Sequence, residues 1–205
     1  MRLEPLQEAI HGRQLFAAAT LADADERFAY LPEHTPSSYE EFQPWLEMAE
    51  QSEDPLYFAV IDKRTNTVEG RQTLMRMDPA NGVIEIGHIF WDGRISKTPV
   101  TTEAFFLFAR QIFDDLGYRR FEWKCNNANL PSIRAAQRFG MTAEEVFRQA
   151  AVVKGENRDT AWYSMLDGEW PAMRHAFQRW LDSSNFDKNG HQIKKLQECK
   201  ERGNG

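Results

Sequence analysis

Apolar positions along the chain switch between helical spacing and short continuous or alternating runs, and turn residues mark most of the switches. Residues 6–30 carry an irregular apolar stripe (Leu6, Ile10, Leu15, Phe16) and predict a helix. A second helix is predicted over Ser38–Gln51. Ser38 and Glu41 have capping-box spacing there, and Phe42, Trp45, Leu46 and Ala49 share one face. Strands follow at Leu56–Asp62 and Val68–Met77, separated by the turn Thr65–Thr67 and closed by the turn Asp78–Gly82. Val83–Trp91 is a strand with an apolar character unusual for this chain.

Thr98 is placed to cap a helix whose first residue is Pro99, where a missing N–H costs least. That helix carries Phe105, Leu107, Phe108, Ile112 and Phe113 and stops at Gly117. Arg119–Cys125 alternates Phe121 and Trp123 against Glu122 and Lys124, a strand pattern. A helix over Pro131–Phe139 ends at Gly140. Strands at Thr142–Val153 and Thr160–Leu166 form a hairpin through Lys154–Asp159. Glu169–Leu181 is a last amphipathic helix, with Met173, Phe177, Trp180 and Leu181 on one side. Beyond it, residues 183–205 turn polar and read as a solvated tail with no core of its own.

The order is two helices, three strands, helix, strand, helix, two strands, helix. Strand–helix–strand over 83–125 forces one parallel pair through a right-handed crossover, and the other neighbours are antiparallel. The fold class expected is therefore α/β: a mixed, mostly antiparallel sheet with a central parallel pair, flanked by helices. A strand that feeds a helix N-terminus also makes an anion site from free backbone N–H groups and the helix dipole, and a phosphate-bearing ligand is its usual guest.

Composition narrows the function. The chain has 205 residues, 41% hydrophobic, enough for a core and for one domain with a decorated end. The formal charge of −6 argues against a broad nucleic-acid surface. No apolar run is long enough to cross a bilayer, and no signal-like start is visible, so the default is a cytoplasmic protein without a membrane partner. Cys125 and Cys199 look unpaired, which fits a reducing compartment. The five histidines and two cysteines show no metal-ligand spacing, so no metal is expected.

Glu85-Ile-Gly87, Thr101-Thr-Glu-Ala104, Asp115-Leu-Gly-Tyr-Arg-Arg120, Asn129-Leu-Pro-Ser132 and Arg138-Phe-Gly-Met141 occur in the order and spacing of a known family. Phe147-Arg-Gln149 and Asn157-Arg-Asp-Thr-Ala-Trp162 continue the match. Over roughly Leu56–Trp170 the chain resembles the GCN5-related N-acetyltransferases (GNAT), in their RimJ/RimL-type branch. The resemblance implies that residues 1–182 are one acyl-CoA N-acyltransferase domain whose parallel strands splay apart to hold acetyl-CoA. It places the pantetheine arm on Ile89, Phe90 and Trp91, and the pyrophosphate on the loop and first turn at Ser96, Lys97, Thr98, Val100, Thr101 and Thr102. Asn129 and Ser132 then lie near the thioester. The chain departs from the family's glycine-containing loop: neither glycine is present, and Pro99 removes one donor. Arg94, Lys97 and the hydroxyls of Ser96, Thr98 and Thr101 are the candidates to compensate.

Glu85, a carboxylate in an apolar strand, is the candidate base, on a face expected to hold Val83, Gly87, Ile89 and Trp91. Ser132 is the candidate for steadying the leaving thiolate; as a simpler alternative, Asn129 caps the helix and Ser132 fills its first turn. His88 is expected on the face opposite Glu85, more as a structural group than a proton relay. A tyrosine that many relatives use as acid is replaced by Ala136. A glutamate of the ribosomal-protein acetyltransferases aligns with Ala151. The activity implied is transfer of an acetyl group from acetyl-CoA to a primary amine, either a protein N-terminus or a small molecule, by direct attack in a ternary complex. The rivals are a CoA-binding sensor or interaction module of the same fold, and an enzyme using a bulkier acyl-CoA. Either a monomer or a homodimer is compatible with the sequence.

Overall fold

The computed structural model describes residues 1–200. The apolar runs form one seven-stranded sheet in the order β1-β2-β3-β4-β5-β7-β6. Its strands are β1 (Arg2–Pro5), β2 (Leu56–Asp62), β3 (Thr67–Asp78), β4 (Val83–Trp91), β5 (Arg120–Asn126), β6 (Thr142–Val153) and β7 (Glu156–Leu166). Every neighbouring pair is antiparallel except β4 and β5. The mixed sheet with one central parallel pair is the expected fold class.

The helices are α1 (Glu8–Ala19), α2 (Ala24–Phe28), α3 (Tyr39–Gln51), α4 (Pro99–Arg110), α5 (Leu130–Arg138) and α6 (Trp170–Leu181). Their starts follow the capping signals. The Ser38 hydroxyl accepts from the Glu41 amide at 3.2 Å, and Thr98 accepts from the Val100 amide at 3.2 Å. At the far end of α4 the chain loosens into a π-helical turn, Gln111–Asp115, before Gly117 turns it with φ +67°.

Among the described residues two large cores and one small one lie against the sheet. One packs α4 and α6 on β4, β5 and β7. Phe105, fully buried, stacks on Phe139 at 4.4 Å and on Phe121 at 5.4 Å. Such ring pairs add about 0.5–1.5 kcal/mol each beyond the area they bury. The other large core packs α1, α2 and α3 on β2, β3 and the end of β4, and includes Leu15, Phe28, Leu46 and Phe90.

Three expectations are corrected. The helix expected over 6–30 is two helices, because the chain turns at Thr20–Asp23, and Leu6 precedes the first. The strand β1 had no signal at all; it is a short, charged edge paired to β2. The segment 183–200 is not a solvated tail. Asn185 is buried, its amide group donates to the Trp180 carbonyl at 3.1 Å and to the Lys194 carbonyl at 3.2 Å, and Leu196 and Cys199 join the α4–α6 core. Trp180 packs on Phe186 at 5.2 Å. Phe186, Leu196 and Cys199, spaced along a polar run, pack against the core that α6 helps to form. Residues 201–205 of that expectation lie outside the described residues.

Candidate active site

The parallel ladder between β4 and β5 pairs Val83 with Arg120, Ile84 with Phe121, Glu85 with Glu122 and Ile86 with Trp123, and then stops. Both strands continue, to Trp91 and to Asn126. A bulge causes the parting. Thr73 faces Gly87 and Arg71 faces Phe90, so two residues of β4, His88 and Ile89, oppose Gln72 alone. His88 takes φ +44° to make the extra step. The gap opens into a cleft of about 310 Å³. Glu85, His88, Lys124, Asn129, Ser132 and Arg158 are among its walls, and Arg27, Tyr30 and Leu31 close it from α2 and the loop beyond.

The bulge also reverses the side-chain alternation, which corrects two expectations. Ile89 and Trp91 pack with Ile84 and Ile86 on the α4–α6 side, while Phe90 packs against Phe28 on the other side at 4.9 Å. His88 shares the cleft with Glu85 instead of facing away from it. The Tyr57 hydroxyl lies 3.3 Å from His88 Nδ1. Burial, helped by the charges of Arg71, Arg76 and Arg158, pushes the His88 imidazole down to about 4.

Glu85 is buried but not alone. Its Oε2 accepts from Lys124 Nζ at 2.7 Å and from Arg76 Nη1 at 3.1 Å. Lys124 Nζ reaches Glu122 as well, also at 2.7 Å, and stands 3.8 Å above the Trp162 ring. Glu122 is bound in turn by Arg120, which forks onto Glu144 with two bonds of 2.7 Å. Burial pushes the Glu122 carboxyl up, but the bonds and charges of Lys124 and Arg120 reverse this and leave it below the usual carboxylate range. Arg120, with help from Ser164, pulls Glu144 down to about 2. The cleft wall is thus the end of a charge ladder that crosses β4, β5, β7 and β6.

At the loop end, most polar groups are already occupied. The Ser96 hydroxyl accepts from Arg27 Nη1 at 2.7 Å, and the Thr101 hydroxyl donates to the Thr98 carbonyl at 3.2 Å. Thr102, fully buried, accepts from Arg138 Nη1 at 2.9 Å, and Arg94 is held by Asp92. The Ser96, Thr98 and Val100 amides go to Asp92, Ile95 and the Thr98 hydroxyl. Val100 turns its side chain into a small core with Val60, Ile95 and Ala104, so it does not plug the cleft. Among the described residues, the Lys97 ammonium, exposed on a φ of +62°, and the amides of Lys97 and Thr101 make no such bond.

The Asn129 side chain caps α5 by accepting from the Ser132 amide at 3.1 Å, and both residues line the cleft. The Ser132 hydroxyl accepts from Trp123 Nε1 at 2.9 Å. A hydroxyl that accepts there keeps its own proton for another partner, and the Cys125 thiol beside it is one. Ala136 is fully buried in the α4–α6 core, and Ala151 is exposed on β6 opposite Arg158. The structure therefore brings Glu85, Asn129 and Ser132 to one cleft, and Ile89, on the other face of β4, also reaches its lining. It keeps the side chains of Phe90, Val100, Thr101 and Thr102 in packed surroundings away from it. The sequence reading missed Arg27, whose Nη1 also binds the Trp91 carbonyl at 2.9 Å, and Lys124 and Arg76. Lys124 had a visible signal, a cation inside a strand pattern, and Arg158 belongs to the charged hairpin that the family resemblance sets beside the acceptor site.

Among the described residues no group of three or more His, Cys, Asp or Glu side chains could hold a metal ion, and no helix is long and apolar enough to cross a membrane. The family model described as "Acetyltransferase (GNAT) domain" matches residues 1–142. A GCN5-related N-acetyltransferase from Brucella melitensis is 58% identical, with 97% of this chain and 90% of that one covered and a TM-score of 0.96. A probable acetyltransferase of the GNAT family from Chromobacterium violaceum is 39% identical, covering 83% and 84%, with a TM-score of 0.77. An acetyltransferase from Salmonella typhimurium that modifies the N-terminal serine of a 50S ribosomal subunit protein shares the fold at 20% identity, covering 80% and 93%, with a TM-score of 0.68. No curated protein matches the chain.

Proposed function

The chain belongs to the GNAT acetyltransferase family, and from that premise we propose that it transfers the acetyl group of acetyl-CoA to a primary amine by direct attack in a ternary complex. The observation that carries this is the early end of the β4–β5 ladder at Ile86 and Trp123, with a carboxylate and a hydroxyl on the walls of the gap. Residues 1–182 supply the catalytic machinery, residues 183–200 pack onto its α4–α6 core, and the order of its motifs resembles the RimJ/RimL-type branch. Its setting is cytoplasmic, and its state is monomer or homodimer.

In this reading the pantetheine arm lies along β4 between Gly87 and Trp91. Phe90 is paired with Arg71 of β3 and the Trp91 carbonyl already accepts from Arg27, so the backbone of Ile89 and the Trp91 amide offer the groups. The pyrophosphate rests on Lys97 and the first turn of α4, where free amides and the helix dipole favour an anion. Acetyl-CoA supplies an activated acyl group. Glu85 attracts the incoming ammonium and removes its proton, directly or through water. The freed amine attacks the thioester carbonyl, a C–N bond forms, the C–S bond breaks, and the proton of the Ser132 hydroxyl steadies the departing thiolate. Holding both substrates in one cleft makes the reaction effectively unimolecular, which supplies much of the acceleration.

A thermal-shift series with acetyl-CoA, free CoA and longer acyl-CoAs, combined with thiol release on an amine panel, tests the proposal. A shift with acetyl-CoA together with amine-dependent thiol release is expected. Binding without release would mark a sensor of the same fold, a shift confined to longer acyl-CoAs would change the donor, and no shift with any CoA would reject the reading.

A further inference from the structure

We infer that the acceptor amine carries its own carboxylate, and that Arg158 is the group that binds it. This rests on the transfer reading above and names the substrate class: a small apolar amino acid or a comparable amino carboxylate.

Among the described residues four arginines and lysines line the cleft, and three of them are satisfied. Arg27 is held by Asp23, with its Nε 2.6 Å from Oδ2. Arg76 and Lys124 are held by Glu85. Among the described residues the Arg158 guanidinium makes no hydrogen bond and no ion pair, and its Nε is buried without a partner. The carboxylates near it are already taken: Glu85 in the same cleft is held by Lys124 and Arg76. Across the hairpin it faces Ala151. Next to it in sequence, Asp159 is occupied by the Gln149 amide at 2.7 Å and by the Asn157 side chain at 2.9 Å.

A guanidinium in this state is costly to leave unpaired, and a carboxylate matches its fork with two parallel bonds. The charge acts on groups on both sides of the gap, since Arg158 contributes to the lowered pKa of His88 and counteracts the burial that raises the Cys125 thiol. The same cleft holds Glu85, the carboxylate proposed to receive the ammonium. At about 310 Å³ the space suits a ligand whose amine and carboxylate are a few bonds apart. Leu31, Pro32, Met75 and Ile89 add apolar wall for a hydrocarbon side chain. The Tyr30 hydroxyl binds the Ala128 carbonyl at 3.1 Å, and Lys154 Nζ binds the Phe28 carbonyl at 2.8 Å. These two bonds tie the end of α2 and the loop beyond it to the loops beside the cleft, a geometry that favours a small acceptor over a protein chain.

The test compares L-leucine with leucinamide, 3-methylbutylamine, spermidine and a serine-initiated tetrapeptide amide, using thiol release from acetyl-CoA. Leucine is expected to exceed the carboxylate-free amines in kcat/KM by roughly tenfold to a hundredfold, the effect of one charge-assisted contact. In Arg158→Gln the leucine-to-leucinamide ratio should collapse toward one, and Arg158→Lys should recover part of it. Equal or better use of leucinamide, spermidine or the peptide would overturn the inference, as would an unchanged ratio in Arg158→Gln. A second arm needs no turnover. Calorimetry of leucine into CoA-loaded protein should show binding that weakens at least about tenfold in Arg158→Gln, with a thermal shift by CoA confirming that the variant is folded. If CoA binds but no amine is acetylated, the transfer reading fails, and Arg158-dependent leucine binding alone then sustains or overturns the carboxylate site.

Discussion

At the loop end of the cleft the hydroxyls of Ser96, Thr98 and Thr101 are bound to one another's neighbourhood and to Arg27, whereas at the strand end Glu85, Lys124 and Arg158 turn charge into the same space. The two ends serve different recognition problems. A nucleotide's phosphates can be held by backbone amides and a helix dipole, which almost any sequence provides once the strand and helix are in place. An acceptor must be chosen and deprotonated, which requires particular side chains at particular positions. Under the proposed function the loop end is expected to tolerate the loss of the family's glycines, and the strand end is where substitutions should have their largest effects.

The largest effect is expected at Lys124. Its side chain is 6% exposed and neutralises both Glu85 and Glu122. Lys124→Met keeps the aliphatic stem but leaves two buried carboxylates facing each other across the parallel pair, with only Arg76 and Arg120 at their outer sides to balance them. Removing one partner of a buried ion pair costs about 3–5 kcal/mol. Urea unfolding should register that loss, and a change under about 1 kcal/mol would mean that water already screens the cluster. Glu85→Gln comes next. It should lower kcat by about a hundredfold or more, the scale of positioned acid–base catalysis, with the KM for acetyl-CoA unchanged. Full activity in that variant would remove Glu85 as base and leave only its structural partnership with Lys124.

The same contrast explains what the sequence disclosed. Strand ends, the Ser38 and Thr98 caps and the parallel crossover are local signals, written within a few residues of one another, and β2, β4 and β6 match the expected ranges. The bulge at His88 is a one-residue change of phase, invisible to any pattern of period two, yet it decides which side chains enter the cleft. The ion pair of Glu85 with Lys124 joins positions 39 residues apart, and the free guanidinium of Arg158 is defined by what does not surround it. Neither can be read before the sheet is assembled. The buried Leu196 and Cys199 were missed for a related reason: their partners lie on α6, and nothing in their own neighbourhood is periodic.

A smaller effect tests the bulge through pH. His88 in the folded chain titrates at about 4, against 6.5 for an ordinary histidine. Below pH 6.5 the unfolded chain takes up a proton that the folded chain refuses until near pH 4, so stability falls as the pH is lowered through that window and is fully present above it. The full shift corresponds to about 3 kcal/mol, and partial exposure reduces it to about 2. His88→Asn, which tolerates the left-handed backbone, should flatten this part of the stability–pH curve while carboxylate titration below pH 4 persists. A curve of unchanged slope would show that His88 ionises freely in the cleft.

The smallest effect lies at the loop end, in Thr98→Ala. The substitution removes the cap of α4 and should cost about 1 kcal/mol, or roughly 2–4 °C in Tm for a chain of this length, with Thr98→Ser retaining most of the stability. It also releases the Val100 amide from the hydroxyl that now occupies it. A ligand phosphate can take that amide in place of the threonine, so the gain of one free donor and the loss of helix order oppose each other. Calorimetry with CoA should then give a Kd within about threefold of the parent protein. A loss of tenfold or more would mean that the Thr98 side chain itself grips the nucleotide, and that the loop end depends on side-chain chemistry as closely as the strand end does.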